Sequence, residues 1–245
     1  LGDEITFRGA GTAAAFVGGP VPGAGGVTPP HASFMPAVRE VCDRHSILLI
    51  ADEVITGFGR TGAWSGSRLW GVKPDMMCIA KAITSGYFPL GATMINERIA
   101  DAFEADSSGT AAIGHGYTYS GHPVGAAAAL AALAETRRLD VVTNAAARGT
   151  QLFDGMISLA AHYPVVGDVR GGHGLMAAFE LVCDREAKTP IDGKLAVKMQ
   201  KSAYAAGALI RVSGPNVILS PSLIIEEADI DITLGALEAG LKAIS

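Results

Sequence analysis

Two residues of this chain stand where an ionisable side chain is expensive to leave without a purpose: Asp52 in LLIADEVITGFGRTG and Lys81 in DMMCIAKAITSG. Each closes a short apolar run without helical period, Ile47 to Ala51 before the carboxylate and Met76 to Ala80 before the amine. Buried parallel strands read this way and deliver the terminal charge to their carboxyl ends. Ligands of open α/β sheets bind at those ends, so the pattern predicts that Asp52 and Lys81 face one pocket. A lysine presented there is a candidate for Schiff-base chemistry with a carbonyl. Its sequence neighbours Cys78, Ile79, Ala80, Ala82 and Ile83 predict partial desolvation, which favours the neutral amine such chemistry needs.

A carboxylate after a run of apolar residues calls for a partner. Arg60 is one option, in which case Asp52 is an ordinary ion-pair or capping residue. A cationic heterocycle is the other. Pyridoxal phosphate provides one, because a carboxylate keeps its ring nitrogen protonated while a lysine holds its aldehyde. Val54 follows Asp52 by two residues, which in extended geometry places it on the same face, where it could pack flat on a planar ring. The phosphate then needs donors. HGYTYSGHPVGAAAAL offers hydroxyls just ahead of a predicted helix start, with Thr118 preferred and Tyr117 and Ser120 close by. Such turns also serve as plain capping devices. Arg211, in ALIRVSGPNVIL, is a lone cation in an apolar strand and wants a carboxylate, from a local acid or from a substrate. Arg170, in DVRGGHG, reads as a turn residue holding loop carbonyls. The six histidines show no ligand spacing such as HxxxH, which argues against a metal site.

The elements that must position these groups follow from the pattern around them. A strand at Ala13 to Val17 leads into the loop PVPGAGGVTPP, and Phe34, Ala37, Val38 and Val41 recur at helical spacing. The strand into Asp52, a Gly-rich loop to about Gly71, the strand into Lys81 and an apolar stretch at Leu90 to Ile95 continue an α/β alternation with a mostly parallel sheet. Helices are predicted from about Val124 to Arg138 and from Val141 to His162, and the remainder reads as a smaller α+β unit. Its strand candidates are Leu175 to Val182, Ala208 to Val212 and Val217 to Leu219, with helices near Gly193 to Ala206 and Glu226 to Ala243. The division expected is residues 1–140, part of a large cofactor-binding domain, and residues 141–245, a linking helix and small C-terminal domain.

Composition narrows the partners. Of 245 residues, 49% are hydrophobic, ample for a core, and the net charge of −5 comes without a basic block. Nucleic acid and anionic membrane surfaces are therefore poor partners, and small molecules better ones. The three cysteines are widely spaced, without CxxC or a disulfide framework, which fits a reducing cytoplasm. No segment has the length and apolarity of a membrane span, and no signal peptide is visible. The chain enters a strand-like run almost at once, as if an α/β domain had been cut into, and it is expected to be partial.

Taken together, the motifs resemble the class III pyridoxal-phosphate aminotransferases, the omega-aminotransferase group, and most closely its amine:pyruvate enzymes. The matching stretches are AAFVGGPVPGAGGV, LLIADEVITGFGRTG, AKAITSGYFPLGA, HGYTYSGHPVGAAAALAAL, DVRGGHGLMAAFELV and LIRVSGPNVILSPSLII, in the family's order over nearly the whole chain. The resemblance implies an α/β fold of fold type I, with Lys81 holding the cofactor aldehyde and shuttling the proton, Asp52 at the pyridinium and Val54 on the ring. It implies that Thr118, with the backbone near Tyr117, reaches the phosphate of a neighbouring subunit's cofactor, hence a homodimer with shared active sites. Arg211 matches a mobile arginine that meets the carboxylate of an amino or keto acid and swings aside for a plain amine. The implied activity is transfer of an amino group from an amine or omega-amino acid to a keto acid such as pyruvate. An aminomutase or decarboxylase of the same family, and a non-catalytic fragment, are the alternatives. The chain differs from the family pattern at Gly19-Pro20, where the family has Glu-Pro, at Pro22 for a common Gln, and at Pro221-Ser222 for Pro-Pro. The family's amino-terminal part, with an aromatic residue over the ring and a Gly-Ser phosphate turn, has no counterpart here.

Overall fold

Strand β1 (Ala15–Gly18) pairs in parallel with β2 (Leu48–Asp52), and β2 in parallel with β3 (Met76–Ile79). In the computed structural model, which describes residues 1–245, a fourth strand, β4 (Ala92–Ile95), closes this sheet antiparallel to β3, giving the order β1-β2-β3-β4. The expected mostly parallel sheet is present. These strands belong to the first of two compact units, made of residues 1–20, 30–58 and 65–139.

The helices of this unit are α1 (Gly2–Arg8), α2 (Phe34–His45), the single-turn α3 (Gly66–Leu69), α4 (Glu97–Glu104) and α5 (Pro123–Arg138). Helix α2 shows why a 3.6-residue period matters: Met35, Val38 and Cys42 are buried in one cluster with Ile47 and Leu49 at the start of β2. Burying each such side chain is worth about 1.5–3 kcal/mol. The helix stops at Ser46, whose left-handed backbone (φ 55°) returns its N–H to the Asp43 and Cys42 carbonyls.

Asp75, just ahead of β3, ties the amino edge of the sheet together. Its N–H donates to the Leu49 carbonyl at 2.9 Å, and its carboxylate accepts from the Leu49 N–H at 2.8 Å, Arg39 Nη1 of α2 at 2.7 Å and Asn96 Nδ2 at 3.0 Å. Asn96 also donates its own N–H to the Asp75 carbonyl and caps α4 by accepting from the Ile99 N–H. Burial pushes the Asp75 carboxyl upward, but these donors more than offset it and hold it below the ordinary carboxylate range.

The second unit comprises residues 21–29, 59–64 and 140–245. After α6 (Val141–His162) come β5 (Val166–Arg170), β6 (Ala177–Asp184), the short β7 (Thr189–Pro190), α7 (Gly193–Ala205), β8 (Arg211–Ser213), β9 (Asn216–Leu219) and α8 (Glu227–Ile244). All pairings are antiparallel, in the order β5-β6-β9-β8 with β7 on β6. One core joins Leu152 and Met156 of α6, Phe179 and Leu181 of β6, Met199 of α7 and Leu237 and Leu241 of α8. At Gly149 of α6 a side chain would fall on the Gly174 carbonyl, so only glycine lets this helix approach that loop. Strand β5 was not legible: VGDVR carries two charges and a glycine and pairs through a register shift.

No helix is long and apolar enough to cross a membrane, and no group of three or more His, Cys, Asp or Glu stands close enough to hold a metal ion.

Candidate active site at the carboxyl edge of the parallel strands

The register of the central strands sets the site. Asp52, the last residue of β2, pairs with Cys78 of β3, and Lys81 follows three residues later, where β3 breaks into a 3-10 turn over Lys81–Ile83. Neighbouring strands lie about 4.8 Å apart, so the carboxylate that ends β2 and the amine in the turn after β3 leave the same edge of one sheet. Both side chains are exposed. For Lys81 this corrects the expected desolvation: Ile79 and Ile83 turn into the unit's interior with Ala129, while the amine points away from them. The backbone at Lys81 is left-handed, with φ 46°, a conformation that costs an unbranched L-residue about 1–2 kcal/mol.

Arg60 makes its hydrogen bonds within its own unit. The Arg60 guanidinium lies in the second unit and donates through Nη1 to the carbonyls of Leu175 at 2.9 Å and Pro221 at 2.7 Å, with burial lowering its pKa to about 10. The Asp52 carboxylate carries one hydrogen bond, from the Val54 N–H to Oδ1 at 3.0 Å, and its other lone pairs face outward. Val54 is not in extended geometry, as a two-residue spacing supposed. The strand stops at Asp52, residues 54–61 form turns, and Val54, half-buried, is placed beside Asp52 by that hydrogen bond.

The residue that follows the strand is Glu53, whose role is not apparent from its sequence neighbours. It is fully buried, at 0% exposure, and accepts from the Gly66 N–H at 2.8 Å, the Ser67 N–H and hydroxyl at 2.6 Å each, and the Thr56 hydroxyl. A signal existed: period two along β2 puts Glu53 on the buried face of Leu49 and Ala51, opposite Asp52.

Tyr117 and Thr118 are exposed, Thr118 opening the turn 118–121 that precedes α5. The helix cap is not one of their hydroxyls but the His122 ring, whose Nδ1 accepts from the Val124 N–H at 3.2 Å, with Pro123 in the first turn. The Ser120 hydroxyl accepts from the Tyr117 N–H at 3.0 Å. Arg211, in the second unit, is exposed on the edge strand β8 and enters no ion pair there, so the local acid expected as its simplest partner is not present. Arg170 ends β5 instead of lying in a turn, and bonds one loop carbonyl, that of Gly26 at 2.8 Å, together with the side chains of Asp168, Glu180 and Asn216 on the strands of its sheet.

The chain is similar to proteins of known activity over nearly all its residues. It is 37% identical over 232 residues to the putrescine–pyruvate aminotransferase of Pseudomonas aeruginosa, covering 94% of this chain and 50% of that protein. It is 43% identical over 205 residues to the diaminobutyrate–2-oxoglutarate transaminase of Halomonas elongata, covering 84% of this chain and 44% of that protein. A solved amine transaminase from an uncultivated Pseudomonas species, in its PLP-bound form, superposes with a TM-score of 0.96 at 48% identity, over 99% of this chain and 55% of that one. The chain thus spans about half the length of the curated relatives it matches. The fold is α/β, the fold type I of pyridoxal-phosphate transaminases. With the class-III aminotransferase family model matching residues 4–241 as well, the chain belongs to the class-III aminotransferases, whose cofactor is pyridoxal phosphate.

Proposed function

We propose that this protein is a transaminase that moves an amino group from a terminal amine or omega-amino acid to a keto acid such as pyruvate. The observation that carries the reading is the register of β2 and β3, which sets a carboxylate with free lone pairs and a primary amine at adjacent strand ends. That donor set fits pyridoxal phosphate: Asp52 suits a protonated ring nitrogen and Lys81 suits an aldehyde. When bound, the cofactor supplies an electron sink for the electron pair left on the substrate carbon. Asp52 would hold the proton at the ring nitrogen. Lys81 Nζ would hold the aldehyde, and its amine could carry the proton to and from the substrate carbon. Val54 packs against the ring face.

Arg211 receives a substrate carboxylate, in plane and bidentate, and leaves a plain amine without an ion pair. Thr118, with the backbone near Tyr117, would supply donors to the phosphate of a second subunit's cofactor, in a cytoplasmic homodimer. Residues 1–140 act as part of the cofactor-binding domain and residues 141–245 as linking helix and small domain. Relatives named for putrescine, diaminobutyrate and gamma-aminobutyrate share an amino group at the end of a carbon chain, which supports a donor of that class. The test is direct. The full natural chain, supplied with pyridoxal phosphate, a terminal diamine and pyruvate, is expected to yield alanine and to show a visible cofactor absorbance band that Lys81→Ala abolishes. Absence of both from the wild-type protein would overturn the reading.

A further inference from the structure

The β2–β3 ladder ends at Asp52, and the sheet itself holds nothing beyond it. Yet the next residues must be fixed, because the Val54 N–H is the hydrogen bond that Asp52 accepts. Glu53 does the fixing, with main chain and side chain together. Its N–H donates to the Cys78 carbonyl at 2.9 Å, the bond that closes the last pair of the β2–β3 ladder. Its carbonyl accepts from the Gly57 N–H at 2.9 Å, closing the turn that contains Val54. Its carboxylate takes the Thr56 hydroxyl inside that turn, and the Gly66 and Ser67 amides with the Ser67 hydroxyl outside it. The two amides belong to the first turn of α3, where amide groups have no partner within the helix, so the carboxylate and the helix satisfy each other. The approach is close: at Gly66 a side chain would strike Pro20 and Thr56.

From this arrangement we propose that Glu53 is a positioning residue for Asp52: its buried carboxylate clamps the turn 53–57 to α3 and so fixes the Val54 amide that orients the Asp52 carboxylate toward the cofactor's ring nitrogen. The proposal rests on the reading of Asp52 given above. Glu53 itself points to the opposite face of the chain from Asp52, among buried groups. Four donors converge on it, so an amide in its place would turn an NH2 group against at least one of them.

The readout is the pH at which the visible band of the lysine-bound cofactor changes. A positive charge on the ring disfavours a second one at the nitrogen supplied by Lys81, so weakening the contact with Asp52 lets that nitrogen keep its proton to higher pH. In the full natural chain loaded with pyridoxal phosphate, Asp52→Asn is expected to raise this midpoint by roughly 1–3 pH units. Glu53→Gln is expected to raise it by a smaller amount. The direction is diagnostic, because losing the negative charge of Glu53 would by itself destabilise a nearby cation and lower the midpoint. Ser67→Ala and Thr56→Val change no charge and remove one donor each; they are expected to raise the midpoint least, and they serve in place of Glu53→Gln if that variant does not fold. A Glu53→Gln protein with lowered melting temperature and an unchanged or lowered midpoint, beside a raised one for Asp52→Asn, would overturn the positioning role alone. So would folded Ser67→Ala and Thr56→Val proteins that both keep the wild-type midpoint. If Asp52→Asn itself left the midpoint in place, the assignment of Asp52 would fall, and this inference with it.

Discussion

The strand pair β2–β3 carries charge at both of its edges and treats it in opposite ways. At the amino edge Asp75 is buried, paired with Arg39, bonded by Asn96 and by the Leu49 amide, and its carboxyl is held below the ordinary range. At the carboxyl edge Asp52 and Lys81 are exposed, and Asp52 has a single hydrogen bond. A charge whose bonds are all made can stabilise a fold but has nothing left to offer a ligand. A charge held in place with lone pairs to spare adds little stability and can meet another molecule. Partner inventory, more than the presence of a charge, separates the structural edge from the chemical one.

The largest expected effect breaks the carboxyl edge alone. Lys81→Ala should abolish transamination, followed as alanine formed from pyruvate, while the melting temperature stays near that of the wild type. Asp52→Asn should lower kcat by about 10²–10³-fold, the scale for removing an electrostatic partner from a reacting centre, again with little change in stability. Asp75→Asn should invert the pattern, costing about 1–3 kcal/mol in denaturant unfolding because it removes the charge-assisted bond from half-buried Arg39, which keeps Asp43, and turns an NH2 group against the donors around it, with kcat of the folded protein retained. Its pH dependence sharpens the contrast. A carboxyl with a depressed native pKa stabilises above its unfolded value of about 4, and that stability is lost as pH falls through the native value. The gap in melting temperature between wild type and Asp75→Asn should therefore close in acid. Smallest, Arg211→Ala should raise KM for a keto acid by about tenfold, the value of one charge-assisted hydrogen-bonded contact, and leave a plain amine donor unaffected. Equal losses on both would make Arg211 structural.

Much of this was legible in the sequence where one residue's type and its neighbours' periodicity told the same story. The run MMCIA read as a strand, found at Met76–Ile79 with only Ile79 buried, and PVGAAAALAALAETRR as a helix, found at Pro123–Arg138. The predicted helix Val141–His162 has those very ends in the structure. Illegible were features made by residues distant in sequence. Asp75 gains its role from Arg39 and Asn96, and Glu53 from Gly66 and Ser67, so neither stands out from its neighbours along the chain. The exposure of Lys81 escaped for a related reason: apolar neighbours in sequence suggested cover, but a 3-10 turn sends alternate side chains in different directions.

That turn leaves a mark on how this chain can change over time. With φ 46° at position 81, the backbone is one that glycine adopts freely and lysine does not. The exposed lysine makes no packing contribution that would compensate. Selection for stability alone would drift position 81 toward glycine and gain from the exchange, so the lysine persists only while something outside the fold demands its amine. Among descendants of this sequence, the residue at position 81 is thus a record of whether the chemistry is still in use.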